Sequence, residues 1–344
     1  MKYSQDQISA IEGICAELVH GTSPEYHSIA VLTGSAGTGK TTVVRELIKK
    51  IELESPLTTI ALCATTHRAA TVFETITSQK VTTAHALFKL RPTATRTGKE
   101  VLTQTSKCDI PVGSLVIIDE ASMIGNEFLK AIVDIVKDKS LKILFIGDPF
   151  QLPPPKDKCS IFDGSLYTFK LTTIKRQAGG NPVLDKANEF REYMEGSRLK
   201  EPVIETCINS KGEGIHVLSH EDFISKFVAK YIDYSAGAEV DTPLCTFTNE
   251  SAINYNNMVR KAAFFLDDII EPFYEGERLI SNTAVMEQEK TILTNNEIVH
   301  VQNFQEGTEH TIPGYHITVH GTYDKYLRSS TKKIFSPKTK HAAD

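Results

Sequence analysis

One segment constrains the fold of this chain more than any other: Gly34-Ser35-Ala36-Gly37-Thr38-Gly39-Lys40-Thr41-Thr42. It fits the pattern G-x-x-x-x-G-K-[ST] and follows an apolar run at 29–32. In such a loop the glycines let backbone N–H groups turn toward phosphates, Lys40 places its charge on the β and γ oxygens, and the Thr41 hydroxyl can ligate Mg²⁺. We therefore predict a nucleoside triphosphate site at Gly34 to Thr42, between a strand and a helix, rather than a chance glycine-rich turn.

The predicted helix runs from Thr41 to Ile51. It carries an apolar face at 3.6-residue spacing, formed by Val43, Val44, Leu47, Ile48 and Ile51. This spacing is typical of a helix packed on a sheet.

A second nucleotide motif follows the apolar run 115–118, which is typical of a buried parallel strand and ends in Asp119-Glu120. An aspartate at this position can hold Mg²⁺ through its water shell, and the following glutamate can polarise an attacking water. An apolar run followed by two acids also occurs at ordinary strand ends. Together with the glycine-rich loop, it predicts a Walker B motif with Asp119 as the metal residue and Glu120 as the catalytic residue.

Composition restricts the class of protein but does not identify a binding partner. The 344 residues are 40% hydrophobic and 24% charged, enough for two or three domains, and they contain no apolar run of membrane-spanning length. The N-terminus lacks a signal-like apolar core, so we expect a cytoplasmic protein with no membrane partner. The six cysteines stand singly, which argues against a zinc site or a disulfide framework. A net charge of −5 leaves nucleic-acid binding undecided, because a local basic groove does not show in the sum.

Further segments resemble those of a known family. Asp119-Glu120-Ala121-Ser122-Met123 and the later Gly147-Asp148-Pro149-Phe150-Gln151-Leu152-Pro153-Pro154 resemble motifs II and III of superfamily-one helicases, particularly the Dda/RecD type. Three more segments stand in the family's order: 64–70 is similar to motif Ia, 82–87 to motif Ib, and 171–177 to the segment that carries an arginine.

The resemblance implies an ATP site with Mg²⁺ and assigns roles to several residues. Its catalytic residues would be Lys40, Glu120, Gln151 and Arg176. Gln151 would contact the γ-phosphate and water, and Arg176 would reach across the cleft to the γ-phosphate. Gln7 resembles the family's adenine-reading glutamine, with a solvated helix residue as the alternative. A surface salt bridge is the alternative for Arg176.

The resemblance also implies a path for single-stranded DNA. Its predicted contacts are Thr65, His67, Arg68, Thr83 and His85 in the first domain, and Thr248 and Asn249 in the second. Hydroxyls and rings can contact phosphates and bases without reading sequence. Without the resemblance, these histidines would be structural residues and these threonines helix caps.

We predict an α/β P-loop NTPase with a RecA-like parallel sheet. The resemblance further implies a pin-like hairpin, for which a plain surface hairpin is the alternative, a partial second RecA-like domain and a small SH3-like β-barrel insert. The predicted boundaries are 1–178 for the first domain with its hairpin at about 90–106, 179–265 for the second domain, 266–325 for the insert, and 326–344 for a basic disordered tail.

The family's C-terminal motifs do not occur in this sequence, so we expect either a truncated or a specialised helicase. The predicted function is ATP-dependent movement on single-stranded DNA, with duplex separation in the 5′-to-3′ direction, at single-strand or junction substrates. Replication or recombination proteins are family-level partners, in a bacterial or phage-infected host cytoplasm. The alternatives are an ATP-binding single-strand clamp with weak or no unwinding and a P-loop kinase; the motif Ia, Ib and III matches count against the kinase.

Overall fold

The computed structural model describes residues 3–21, 28–94, 100–154, 157–173, 181–235, 244–269, 271–281, 285–287, 290–293, 297–309, 311–321 and 331–337. The chain divides into two compact units. The first contains Met1–Gly179 with Met194–Ser197, and the second contains Gly180–Tyr193 with Arg198–Asp344.

The described residues of the first unit form eight strands and five α-helices. Its strands are β1 (Ile29–Gly34), β2 (Ile60–Ala64), β3 (Val81–Thr83), β4 (Leu90–Ala94), β5 (Glu100–Gln104), β6 (Leu115–Asp119), β7 (Lys142–Gly147) and β8 (Tyr167–Leu171). Its helices are α1 (Gln5–Ile14), α2 (Lys40–Glu54), α3 (His67–Thr77), α4 (Ala84–Phe88) and α5 (Asn126–Lys139). A π-helical turn, Cys15–His20, continues α1, and a 3-10 turn, Ala121–Met123, follows β6.

Six of these strands form a parallel sheet in the order β3-β2-β6-β7-β1-β8. Helices cover both faces, so the strands are apolar on both sides. In β6, for example, Leu115 and Ile117 pack with α1, α2 and α3, whereas Val116 and Ile118 pack with α4 and α5. The five apolar residues predicted for one face of α2 are all buried, which confirms the predicted helix. The predicted P-loop α/β fold with a parallel sheet is likewise confirmed.

Strands β4 and β5 pair antiparallel outside the main sheet, from Leu90 opposite Gln104 to Ala94 opposite Glu100. The pair lies where we predicted a hairpin, and residues 95–99 between the strands are outside the described part. A pin-like role for this pair stays a prediction.

The described residues of the second unit form three helices and eight strands. The helices are α6 (Pro182–Met194), which ends at the boundary of the unit, α7 (His220–Ser235) and α8 (Asn249–Ala263). The strands are β9 (Cys207–Ile208), β10 (Gly214–Ile215), β11 (Arg278–Ile280), β12 (Val285–Glu287), β13 (Lys290–Leu293), β14 (Ile298–Glu309), β15 (Ile312–Gly321) and β16 (Thr331–Pro337). Four of them form an antiparallel sheet in the order β11-β14-β15-β16, on a small core that includes Val299, Val301, Ile317 and Val319.

Two observations bear on the predicted architecture of the second unit. The described residues 244–248 form no strand and lead directly into α8. No parallel strand pair occurs in the described parts of 181–269, and a parallel strand needs such a neighbour for its backbone hydrogen bonds. The partial second RecA-like domain and the closed SH3-like barrel therefore stay predictions.

The expectation of a disordered tail over 326–344 is wrong for Thr331–Pro337, which form β16. This strand pairs with β15 from Gly314 opposite Pro337 to His320 opposite Thr331. Ile334 packs on the core of the sheet, and this burial stabilises a segment whose local composition is basic. Among the described helices, none is both long and apolar enough to cross a membrane.

Candidate nucleotide site and nucleic-acid path

Three predicted site segments meet at one edge of the parallel sheet. Strand β7 lies between β6 and β1, and all three run in the same direction. Their carboxyl ends therefore bring together the glycine-rich loop after β1, the Asp119-Glu120 pair at the end of β6, and the loop after β7 that carries Gln151. In open parallel sheets this edge is where ligands bind.

The glycine-rich loop has a fixed conformation. Gly37 and Gly39 both have φ of 85°, a left-handed conformation that favours glycine. A Cβ atom on Gly39 would lie 2.6 Å from Nε2 of Gln7, so a side chain there meets steric as well as backbone resistance. Within the loop, the buried Thr38 hydroxyl donates to the Ser35 carbonyl at 2.8 Å. The conformation of the loop is thus determined by its glycines, by the hydrogen bond from Thr38 to Ser35 and by the close approach of Gln7.

Lys40 begins α2 and lies over the loop. Its Nζ donates to the carbonyls of Gly34 at 2.7 Å and Ser35 at 3.2 Å. The ammonium group and the first N–H groups of α2 therefore face the same small region, which fits a chain of phosphates. Thr41, the next residue, and Asp119 supply the oxygen ligands that Mg²⁺ prefers. The residues present fit both ATP and Mg²⁺.

Gln7 is buried beside this loop, with only 1% of its surface exposed. Its Nε2 donates to the Thr38 carbonyl at 2.8 Å, and its Oε1 accepts from the Ser4 backbone N–H at 3.2 Å. The alternative of a solvated helix residue is therefore wrong. Contact between Gln7 and adenine stays a prediction. The Gln7 side chain also stabilises the glycine-rich loop through its hydrogen bond to Thr38.

Asp6 is a site residue that the sequence did not reveal. Its Oδ2 accepts hydrogen bonds from the backbone N–H groups of Thr172 and Thr173, each at 2.9 Å, just after β8 ends. An acid in the first turn of a helix is common for electrostatic reasons alone, so its position gave no signal of this contact. Asp6 and Gln7 together join α1 to the phosphate loop and to the end of β8.

The Asp119-Glu120 pair has an unusual backbone. Glu120 has φ of 55°, which is uncommon for a residue with a side chain, and its N–H donates to Oδ1 of Asp119 at 2.9 Å. Burial raises the pKa of Asp119 to about 6, with the neighbouring Glu120 charge adding to the rise and the Glu120 N–H and Lys40 opposing it. Such a carboxyl group gains most from a nearby cation, as a Walker B aspartate does when Mg²⁺ binds.

Gln151 follows a turn braced by Asp148, of which 1% is exposed. Oδ1 of Asp148 accepts from the Phe150 N–H at 3.2 Å, and its backbone carbonyl accepts from the Gln151 N–H at 3.1 Å. The Gln151 side chain is exposed at the carboxyl edge of the sheet. Arg176 lies outside the described residues, so its predicted catalytic role stays a prediction.

The motif Ia and Ib segments lie side by side, because Ala64 at the end of β2 is opposite Thr83 at the end of β3. His67 and Arg68 are exposed at the start of α3. Thr65 is half-buried, and its hydroxyl donates to the backbone carbonyl of Glu120 at 3.3 Å. A predicted DNA-contacting residue therefore touches the segment that carries the predicted catalytic residue Glu120.

Thr83 and His85 have structural partners. The Thr83 hydroxyl caps α4 by accepting from the Ala86 N–H at 3.2 Å. The His85 ring packs on Phe128 with 4.2 Å between ring centroids, and burial lowers its pKa. The structural alternatives thus apply to both residues, and DNA contact by either stays a prediction.

Thr248 caps α8 in the second unit, where its hydroxyl accepts from the Ser251 N–H at 3.1 Å. Asn249 is exposed in the first turn of that helix. The capping alternative is therefore present for Thr248, and phosphate contact by the pair stays a prediction.

Comparison with known proteins agrees with this arrangement. Residues 21–156 match the AAA domain family. The ATP-dependent DNA helicase dda of enterobacteria phage T4 is 23% identical, over 89% of this chain and 72% of that protein. The ATP-dependent RecD2 DNA helicase of Deinococcus radiodurans is 31% identical, over 47% of this chain and 21% of that protein.

An uncharacterised protein of Acanthamoeba polyphaga mimivirus is 27% identical over 71% of this chain. The matched part of this chain spans about half of that relative, 54% of its length. The AAA domain match covers the phosphate loop and the Walker B pair. These similarities agree with the predicted resemblance to superfamily-one helicases of the Dda/RecD type.

Proposed function

We propose that this chain hydrolyses ATP to move on single-stranded DNA and to separate duplex DNA in the 5′-to-3′ direction. The observation that carries the proposal is the meeting of three segments at neighbouring strand ends: the glycine-rich loop, Asp119-Glu120 and the Gln151 loop. This arrangement supplies a phosphate cradle, a metal-binding carboxylate, a general base and a polar sensor in one place. The similarity to two DNA helicases supports DNA as the substrate.

Each residue has a defined part in hydrolysis. Lys40 and the loop N–H groups hold the phosphates, and Thr41 and Asp119 hold Mg²⁺, which neutralises charge on the phosphate oxygens when bound. Glu120 orients a water molecule and accepts its proton. The neutral amide of Gln151 both donates and accepts, so it can contact the γ-phosphate and the water together. Arg176 supplies a permanent positive charge to the transition state.

DNA would lie along the edge where β2 and β3 end. His67 and Arg68 are exposed there, beside the half-buried Thr65. A cationic and hydroxyl-bearing edge favours contact with the DNA backbone rather than with base sequence. The link from Thr65 to the Glu120 carbonyl gives DNA binding a direct route to the hydrolytic residues.

The proposal is tested by ATP hydrolysis with and without single-stranded DNA. We expect strong stimulation in the native chain and loss of turnover in Glu120→Gln and Lys40→Ala, with activity kept in the matched control Glu12→Gln, an exposed residue of α1. Strand displacement on duplexes with a 5′ or a 3′ single-stranded tail then tests direction. ATP binding without DNA-stimulated turnover would contradict the motor and favour the single-strand clamp.

A further inference from the structure

A cavity of about 230 Å³ lies beside the Walker B turn. Its lining includes Ser122, Gln151, Phe162, Asp163 and the prolines Pro149 and Pro153. Ser122 belongs to the turn directly after Glu120, and Gln151 belongs to the loop after β7. An occupant of this cavity would therefore touch both segments that we assign to ATP hydrolysis.

The walls of the cavity have fixed positions. The Phe162 ring lies against the bare backbone of Gly147, where an added Cβ would be 2.7 Å from its Cζ atom. Gly147 ends β7, so the ring is anchored at the carboxyl edge of the sheet. Cys159, which also lines the cavity, directs its thiol to the Ala121 carbonyl at 3.6 Å. The cavity is thus a built feature of the sheet edge.

The lining selects the chemistry of the ligand. Among the residues that the structure describes, the lining contains no lysine or arginine, and it contains the Asp163 carboxylate, which disfavours phosphate. Hydrogen bonds from the Ser165 side chain and backbone lower the pKa of Asp163, which is therefore ionised at neutral pH and accepts hydrogen bonds only. Phe162 and the two prolines present flat apolar surfaces, on which planar rings stack.

We propose that this cavity binds a nucleobase that carries an exocyclic amino group, with the amino group directed to Asp163 and the ring against Phe162. The proposal deepens the proposed function and rests on it in one respect, since a base of the bound DNA strand is one source of the ligand. A free nucleoside is the other source. A base in this position would contact Gln151 and couple strand composition to the residue that senses the γ-phosphate.

Binding of oligo-dC and oligo-dT of equal length tests the proposal at one salt concentration, where phosphate contacts are the same. Cytosine carries an N4 amino group and thymine does not, while the two rings have equal size. We expect oligo-dC to bind about tenfold more tightly, the effect of one hydrogen bond to a charged acceptor. Equal affinities would overturn the assignment of the cavity to a base of the bound strand.

Two aspartate variants locate the effect. Asp163→Asn removes the charge, and we expect it to bring the two affinities close together with little change for oligo-dT. The matched control Asp134→Asn, at an exposed position of α5, should keep the native preference. A preference that survives in Asp163→Asn would contradict the assignment.

Alkylation of Cys159, followed by mass spectrometry, distinguishes the two sources. If cytidine protects Cys159 from alkylation and oligo-dC does not, the ligand is a free nucleoside. If oligo-dC protects Cys159 and cytidine does not, the ligand is a base of the DNA strand. If neither protects Cys159, the proposed site is overturned. The exposed Cys207 serves as the internal reference. ATP hydrolysis stimulated by oligo-dT, which lacks the amino group, reports on the proposed motor function separately.

Discussion

The hydroxyl of Thr65 holds the backbone carbonyl of Glu120 at 3.3 Å, and Glu120 itself is in the left-handed backbone region. A non-glycine residue in that region is kept there by its surroundings. The Met123 N–H donates to the same carbonyl at 3.2 Å, so Thr65 provides one of two contacts that fix the segment. We therefore treat Thr65 as a positioning residue for Glu120.

Replacing Thr65 by valine removes the hydroxyl and keeps the shape. We expect kcat for ATP hydrolysis to fall about fivefold with little change in KM for ATP, the effect of one neutral hydrogen bond felt in the transition state. Thr65→Ser should restore most of the rate, and Thr75→Val, on an exposed part of α3, should have no effect. A serine variant as slow as the valine variant would rule out the hydroxyl as the cause.

His85 gives the first unit a pH dependence of stability. Burial lowers its folded-state pKa below the unfolded value of about 6.5, so its contribution is present above that pH and is lost as the pH falls through the folded-state pKa. Since His85→Phe keeps a ring on Phe128, we expect this variant to lose less unfolding free energy than the native chain between about pH 7.5 and about pH 5.5. Urea unfolding measures the difference.

The exposed His67 provides the control for this measurement. His67→Phe should keep the native pH dependence, because the substitution leaves the half-buried ring of His85 in place. Equal pH dependence in His85→Phe and the native chain would show that other groups are responsible. Loss of DNA affinity in His85→Phe at about pH 7.5 would support the predicted DNA contact instead of a purely structural role.

At the level of elements, Asp6 joins the start of α1 to the residues that follow β8. Its two hydrogen bonds cross 166 and 167 residues of sequence. We expect Asp6→Ala to lower the free energy of unfolding by about 2 kcal/mol, because two backbone N–H groups lose a charged partner. Urea unfolding, with Glu12→Ala on the same helix as the control, measures the loss. An unchanged midpoint would mean that water replaces the carboxylate without cost.

The separation in sequence between contacting residues explains which features could be predicted from the sequence and which could not. Helix α2 was predictable because its apolar spacing is local, and β6 because its apolar run is continuous. The Asp6 contact depends on chain segments that meet only in the folded sheet. Strand β16 was missed for a related reason, since its basic residues mask a pairing with β15 and the burial of Ile334.

In the candidate site, too, some features are visible as sequence patterns and others arise only from the fold. Lys40, Asp119 and Gln151 belong to sequence patterns, and the parallel order of β6, β7 and β1 brings those patterns to one edge. The brace from Gln7 to the loop and the bond from Thr65 to Glu120 belong to no pattern. Motifs therefore predict which groups act, whereas the contacts that orient those groups require the fold.

At the scale of the whole molecule, the salt dependence of DNA binding follows the number of phosphate contacts rather than the net charge. A net charge of −5 gives no general attraction to DNA, so binding depends on a few local cations. Arg68 is exposed at the start of α3, beside the edge of the parallel sheet along which we place the single-stranded DNA. Each phosphate contact contributes about one unit to the slope of log affinity against log salt concentration.

We therefore expect Arg68→Ala to weaken binding by a similar factor for every single-stranded sequence and to reduce the salt slope by about one. The control Lys49→Ala removes a cation whose side chain is 60% exposed on α2, and it should leave the slope unchanged. Fluorescence titration over a range of salt concentrations gives both slopes. Equal reductions in the two variants would indicate a general charge effect. An effect of Arg68 alone would place the phosphate backbone at this edge of the sheet, next to the Thr65 contact that leads to Glu120.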